Sequence, residues 1–201
     1  MVLAVSTGPV PRESAMTEPA KTERNRTGLA DERLVNLIRQ YADANQIECD
    51  RTDEASLVLV LPGQHKLKTA VLLVIGRQSV TINAFVIRQP DENHAAFYRW
   101  LLERNRRMYC VAFALDRLGD VYLVGKSPKA SLDSDELDRI LGSVLEAADG
   151  AFDSLLELGF AEAIRREWRW RISRGESTRN LDAFRHLVAD SDPPLRQDGD
   201  S

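Results

Sequence analysis

The sequence predicts an α+β domain, an antiparallel sheet flanked by helices, with a helical extension at its C-terminal end. Three observations carry this. Apolar runs at Ser56–Leu61, Leu67–Ile75 and Val80–Ile87 are separated only by Pro62-Gly63-Gln64-His65-Lys66 and Gly76-Arg77-Gln78-Ser79, so they read as a hairpin meander. A second hairpin follows in VAFAL (111–115) and VYLVGK (121–126), turning at Gly119. Around these runs, apolar residues recur at spacings of three and four, the helical period.

Residues 1–28 carry Pro9, Pro11, Pro19, Gly8 and Gly28 with no apolar period, and are expected to form a disordered arm in which Met16 is as good a start as Met1. Leu34, Leu37, Ile38, Tyr41 and Ala42 make the first helix, about 30–45, with Asp31 and Glu32 at the end where the helix dipole favours acids. The continuous hydrophobicity of the VLLVI run exceeds what a half-exposed strand needs, so the centre of the sheet is expected to be covered on both faces. Pro90-Asp91-Glu92-Asn93 stops the third strand and starts a helix over about 92–106, with Asp91 or Asn93 as its cap and Phe97, Trp100 and Leu101 as its buried stripe. Beyond Pro128, Asp133 or Ser134 caps a long helix through Leu137, Leu141, Val144, Ala148, Phe152 and Leu155, which Gly159 interrupts. Helical stretches over about 161–173 and 180–189 precede an acidic tail at 190–201. The expected division is therefore an arm at 1–28, a domain at 29–160, an extension at 161–189 and a disordered tail.

Composition narrows the function classes. The 201 residues are 43% hydrophobic and 29% charged, which suits a globular domain with a sizeable core. Net charge is −4, so affinity for nucleic acid or an anionic membrane would need a local basic patch. Cys49 and Cys110 form neither a disulfide framework nor a CxxC unit, which fits a reducing cytoplasm. The longest apolar runs fall far short of a membrane span, and no export signal is legible. On that reading the Asn25-Arg26-Thr27 sequon is a chance match.

The order α-β-β-β-α-β-β-α, with RWLLERNRRMYCVAFALDRLGDVYLVGKSP (99–128) followed by LDRILGSVLEAADGAFDSLLELGF (137–160), resembles the YbjN-type domain, similar in fold to the dimeric chaperones of type III secretion. The resemblance rests on a leucine-rich helix ending in Asn (Leu101, Leu102, Asn105), a hairpin with a Gly119-Asp120 turn, and the long helix after it, and covers about residues 30–160. It implies a type III secretion chaperone-like fold, a homodimer, and a sensory or regulatory role with no catalytic residues to carry over.

Motifs that invite chemistry have plainer uses. Gly125-Lys126-Ser127 lacks the glycine spacing of a phosphate loop and lies in a strand. Asp91-Glu92-Asn93-His94 sits where caps belong, and Asp133, Asp135, Glu136 and Asp138 sit where a helix start favours acids. His65, His94 and His186 have no metal-ligand spacing, no GxSxG elbow occurs, and no cofactor is expected. The most unusual segment is AEAIRREWRWRISR (161–174), with five arginines and two tryptophans. Ile164, Trp168 and Ile172 would make an apolar stripe, with Arg165, Arg166, Arg169 and Trp170 mostly elsewhere. Either the stripe docks on the core and the arginines are solvated or paired with tail acids, or the segment is a surface for a protein partner, where Trp and Arg are enriched. Nucleic acid or anionic lipid is a third use, and Arg99, Arg104, Arg106 and Arg107 would extend the patch if their helix lay near it. The sequence thus points to a non-catalytic protein-binding module, a chaperone-like or regulatory adaptor that contacts its partner through Ile164, Arg165, Arg166, Trp168, Arg169 and Trp170. An arginine-patch nucleic-acid binder is the alternative, and an enzyme assembled from distant residues comes last.

Overall fold

A computed structural model describes residues 32–189; the expected arm at 1–28 and tail at 190–201 lie outside the described residues. In chain order the elements are α1 (Glu32–Ala44), β1 (Glu48–Asp53), β2 (Ser56–Pro62), β3 (Lys68–Ile75), β4 (Ser79–Ile87), α2 (His94–Asn105), β5 (Val111–Leu115), β6 (Val121–Pro128), a short 3-10 turn (Lys129–Ser131), α3 (Ser134–Arg174), a second 3-10 turn (Arg179–Phe184) and α4 (Arg185–Ala189). The six strands form one sheet in the order β1-β2-β3-β4-β6-β5, with every pairing antiparallel. The α+β architecture expected from the sequence is therefore present, with one strand more than the apolar runs announce. That strand, β1, reads ECDRTD and lies at a sheet edge. Its alternate residues face solvent, so it carries no apolar run.

The registers place Leu57, Leu59 and Leu61 beside Leu73, Val71 and Thr69, and Leu73 and Val71 beside Ile82 and Ala84. These residues, continued by Leu123 and Phe113, share one face of the sheet and join α1, α2 and α3 in a single apolar core. On the opposite face Val58 and Val74 are also buried. Asp133 caps α3, its side chain accepting from the Glu136 N–H at 2.8 Å. At the β5–β6 turn Gly119 adopts φ +84°, a left-handed conformation that L side chains resist.

The connection between β4 and α2 does different work from the capping expected of it. Neither Asp91 nor Asn93 caps α2; Asn93 is itself left-handed, with no side-chain cap bond. The segment instead ties down α3 where that helix changes direction, at Phe160 (φ −144°, ψ 19°). A non-helical residue there frees carbonyls on one side and N–H groups on the other. The Gly159 carbonyl accepts from the Asp91 N–H at 2.9 Å, and the Leu158 carbonyl accepts from Asn93 Nδ2 at 3.1 Å. The Glu92 carboxylate takes the Glu162 N–H at 2.8 Å, acting as the cap of the helix's second segment. Arg88, donating to Asp91 through its two terminal guanidinium nitrogens, lies over the Phe160 ring at 4.3 Å.

Gly159 permits this close approach. A Cβ there would stand 2.8 Å from Pro90 Cβ and 3.0 Å from the Phe97 ring, whose residue is fully buried. Gly159→Leu is therefore expected to cost about 2–3 kcal/mol through overpacking. Urea unfolding followed by circular dichroism checks this, and an unchanged midpoint would overturn this account of the junction.

Candidate functional site

The segment singled out in the sequence forms the end of α3 and is overlaid by the chain's return. After Gly175, left-handed at φ +68°, the 3-10 turn and α4 pack along α3, with Leu181 and Phe184 buried. The buried face here is Ala163, Ile164 and Glu167, so the expected Ile164–Trp168–Ile172 stripe is turned: Ile164 is 1% exposed and Ile172 is 62% exposed. Glu167 lies on this buried face, paired with Arg171 at 2.8 Å. Arg171 also donates to the Ser177 carbonyl and to Asn180 Oδ1, which fastens the returning segment to the helix. The interior of this hairpin is thus partly ionic, and hydrophobic spacing alone misplaces its face.

Arg165 is half-buried, donating from Nε to the Leu187 carbonyl at 2.9 Å and pairing with Glu162 at 2.5 Å. Arg166 and Arg169 are exposed, and Trp168 and Trp170 are half-exposed. Arg174 stands 5.7 Å from the centre of the Trp170 ring, within cation–π range. Ile164 therefore lies beneath a surface of tryptophan and arginine. Arg104, Arg106 and Arg107 do not extend that surface. They line a groove over residues 139–147 of α3, about six to eight helical turns before Trp168, and Arg99 pairs with Glu103 on α2.

That groove, of 910 Å³, has Trp100, Met108, Tyr109 and Ala147 among its apolar lining and Arg104, Arg106, Arg107 and Arg139 among its charged lining. Arg104 stacks over Trp100 at 4.6 Å. Arg106 and Arg107 have no ion-pair partner among the described residues. A second groove of 670 Å³ shares Asp138 and Arg139 with the first and continues between α1 and α3 past Leu37 and Tyr41. Tyr41 donates to Asp138 at 2.6 Å; burial, with the carboxylate beside it, pushes the phenol up to about 12.

Beside the first groove lies β5, the apolar edge of the sheet. Its outward backbone groups at Phe113 are both taken by one side chain. Asn105 Nδ2 donates to the Phe113 carbonyl at 3.2 Å, and the Phe113 N–H donates to Asn105 Oδ1 at 2.8 Å. The Asn that closes the leucine-rich helix in the sequence is thus the link between α2 and the sheet edge. Sequence reading marked the residue without its use, because its partner is backbone and backbone partners leave no signature.

Neither cysteine is activated as a nucleophile. Burial raises the thiol pKa of both Cys49 and Cys110, the reverse of activation. Among the described residues no group of three or more His, Cys, Asp or Glu side chains is placed to hold a metal ion, and no helix is long and apolar enough to cross a membrane.

Residues 34–157 match the model of the YbjN family, described as "Putative bacterial sensory transduction regulator". The chain belongs to the YbjN family. This YbjN chain is 58% identical over 134 residues to the uncharacterized protein ML2442 of Mycobacterium leprae, a match covering 67% of the chain and 73% of the relative. It is 55% identical over 132 residues to the uncharacterized protein Rv0487 of Mycobacterium tuberculosis, covering 66% of the chain and 72% of the relative. Among solved structures it resembles the ExsC–ExsE complex, with a TM-score of 0.50 and 20% identity over 64% of this chain and 97% of that one. The YbjN domain thus has the type III secretion chaperone-like fold, and the matched region ends just before the Phe160 bend.

Proposed function

We propose that this YbjN protein is a non-catalytic polypeptide-binding module, a chaperone-like or regulatory adaptor that works in the cytoplasm as a homodimer. The observation that carries the reading is the surface at the end of α3, where half-exposed Trp168 and Trp170 stand among exposed Arg166 and Arg169. Buried Ile164 and half-buried Arg165 support that surface from below. Tryptophan and arginine dominate the energetic centres of protein interfaces, because each offers a large contact area together with directional polar contacts. The ExsC–ExsE structure is itself a complex, in keeping with a partner-holding use of the fold.

The test is affinity capture from host lysate with the full chain and its Trp168→Ala, Trp170→Ala double variant, at physiological salt and at about 0.5 M, where the Debye length is roughly halved. A protein partner held by the wild type at both salts and lost from the variant is the expected result. Equal capture by both chains would overturn the contact set. Nucleic acid that dissociates as salt rises would move the assignment to an arginine-patch nucleic-acid binder. Sedimentation of the purified chain checks the homodimer, expected at twice the 22.6 kDa chain mass.

A further inference from the structure

We propose that the acidic segment 190–201 folds back along the end of α3 and occupies the surface around Trp168, Arg166 and Arg169, so that a partner gains this surface with an acidic, proline-containing segment that displaces it. The inference rests on the polypeptide-binding reading; it gives that surface an internal competitor and gives the partner a chemistry.

The course of the described chain brings the segment to the surface. After Gly175 the chain descends α3, from Asn180 beside Arg171 to Leu187 beside Arg165. Its last helix is fastened there twice: Arg165 Nε donates to the Leu187 carbonyl at 2.9 Å, and His186 Nε2 lies 3.2 Å from Glu157. The 12 residues after Ala189 therefore start within a few residues of Arg165. Continued in the same direction, they would meet Glu157 and Asp153, acids that repel an acidic chain. Reversed, they meet arginines. Ser191-Asp192-Pro193 is a sequence that favours such a turn.

The arginines at this end of the molecule divide into two groups. Arg165, Arg171 and Arg185 are paired with Glu162, Glu167 and Asp182. Arg166, Arg169, Arg174 and Arg179 are exposed and have no ion-pair partner among the described residues. Asp91, whose carboxylate feels Arg166, is already held through both oxygens by Arg88.

The segment DSDPPLRQDGDS matches this surface in pattern as well as in sign. It carries four aspartates against one arginine, two before and two after an apolar centre, Pro193-Pro194-Leu195. On α3 the half-exposed Trp168 and the exposed Ile172 stand one turn apart, with Arg166 and Arg169 before Ile172 and Arg174 and Arg179 after it. Prolines hold a chain extended, in the form that docks on aromatic faces. The spans agree: Asp190 to Leu195 covers about 15 Å in that extended form, and Arg165 to Ile172 covers about 10 Å of helix.

The test reads the tryptophan indole N–H signals of the full, isotope-labelled chain by NMR, each assigned with its Trp→Phe variant. Wild type is compared at low salt with a chain carrying Asp190→Asn, Asp192→Asn, Asp198→Asn and Asp200→Asn. The Trp168 signal is expected to differ between the two chains while that of Trp100, on α2, stays in place. Raising the salt to about 0.5 M should carry the wild-type signal most of the way to the neutralised position, as the Debye length falls severalfold. In an Arg166→Glu, Arg169→Glu background, checked for native circular dichroism, the same tail substitutions should leave the signal where it is. The free peptide DSDPPLRQDGDS should bind the neutralised chain at least about tenfold tighter than wild type, whose own copy competes at millimolar effective concentration. Should the arginine variant not fold, the salt and peptide comparisons decide alone.

A Trp168 signal indifferent to the charge of the tail, or equal binding of the peptide by both chains, would overturn the proposal. So would a difference that grows with protein concentration, which would make the tail of a second copy the occupant. Capture that depends on Trp168 and Trp170, together with an indifferent signal, removes the tail contact and keeps the polypeptide-binding reading. A responsive signal without any captured partner keeps the tail contact and removes that reading.

Discussion

Replacing Lys66 with methionine is expected to stabilise the protein by about 2 kcal/mol at pH 7, as one buried charge is exchanged for a thioether of similar length. Lys66 is 8% exposed. Its ammonium donates to the Phe85 carbonyl and lies 5.2 Å from the centre of the Phe85 ring, with no carboxylate paired to it among the described residues. Burial pushes its pKa down to about 8, against about 10.4 for a free lysine. Between those values the unfolded chain binds the extra proton, so wild-type stability rises with pH from about 8 to about 10. Below pH 8 the charged form imposes its full net cost, on the order of 2–3 kcal/mol. The advantage of Lys66→Met should therefore be constant below pH 8 and shrink above it. Urea unfolding of both chains at pH 7, 8 and 9.5 measures this. A variant less stable than wild type at pH 7, or a difference independent of pH, would overturn the account of this residue.

The loop that carries Lys66 is held independently of its side chain. Asp149 on α3 accepts from the backbone N–H groups of His65 and Lys66 at 2.9 and 2.8 Å, and His65 Nδ1 lies 2.6 Å from Asp153. The substitution thus tests the buried charge with the loop still anchored.

Glu167→Ala is the change with the largest expected loss, about 3 kcal/mol for the segment it holds, because it strands the Arg171 guanidinium in a nearly closed setting. The carboxylate is 4% exposed and its partner 14%. The loss should be local: residues 175–189 loosen while the sheet core stays intact. Trypsin should then cut after Arg174 or Arg179 well before it cuts within the core, and hydrogen exchange should quicken in the same stretch. Glu167→Leu with Arg171→Met should recover much of the stability, since an apolar pair of similar volume avoids the desolvation cost. Uniform loss of protection across the whole chain would refute a locally held segment.

Much of the fold was legible because it follows apolar period. β2 and β3 are continuous apolar runs, β4 and β5 alternate, α1 and the first part of α3 carry a 3.6-residue pattern, and Asp133 stands in the position where a cap belongs. β1 was hidden because an edge strand with polar alternate residues shows no such pattern. Asp91 or Asn93 is the cap the sequence offers for the helix that follows; Asn93 and Glu92 instead bond to α3 at positions 65 and 70 residues further on, a pairing that only tertiary structure creates. The candidate site was half legible. The density of tryptophan and arginine marks the end of α3, yet its buried face includes Glu167, paired with Arg171, a charged position that hydrophobic spacing does not anticipate. Asn105 was visible as part of a motif, and its bond to the β5 backbone was not.

The strand order carries a consequence for synthesis. β1 to β4 pair with their sequence neighbours and can assemble as they leave the ribosome, but the outer side of β4 is filled by β6. Between Ile87 and Pro128 lie about 40 residues, so at about 5–20 residues per second that side stays unpaired for roughly 2–8 s. Through that interval the nascent chain exposes SVTINAFVI as an open template, well placed for capture by another nascent copy or by a holding chaperone.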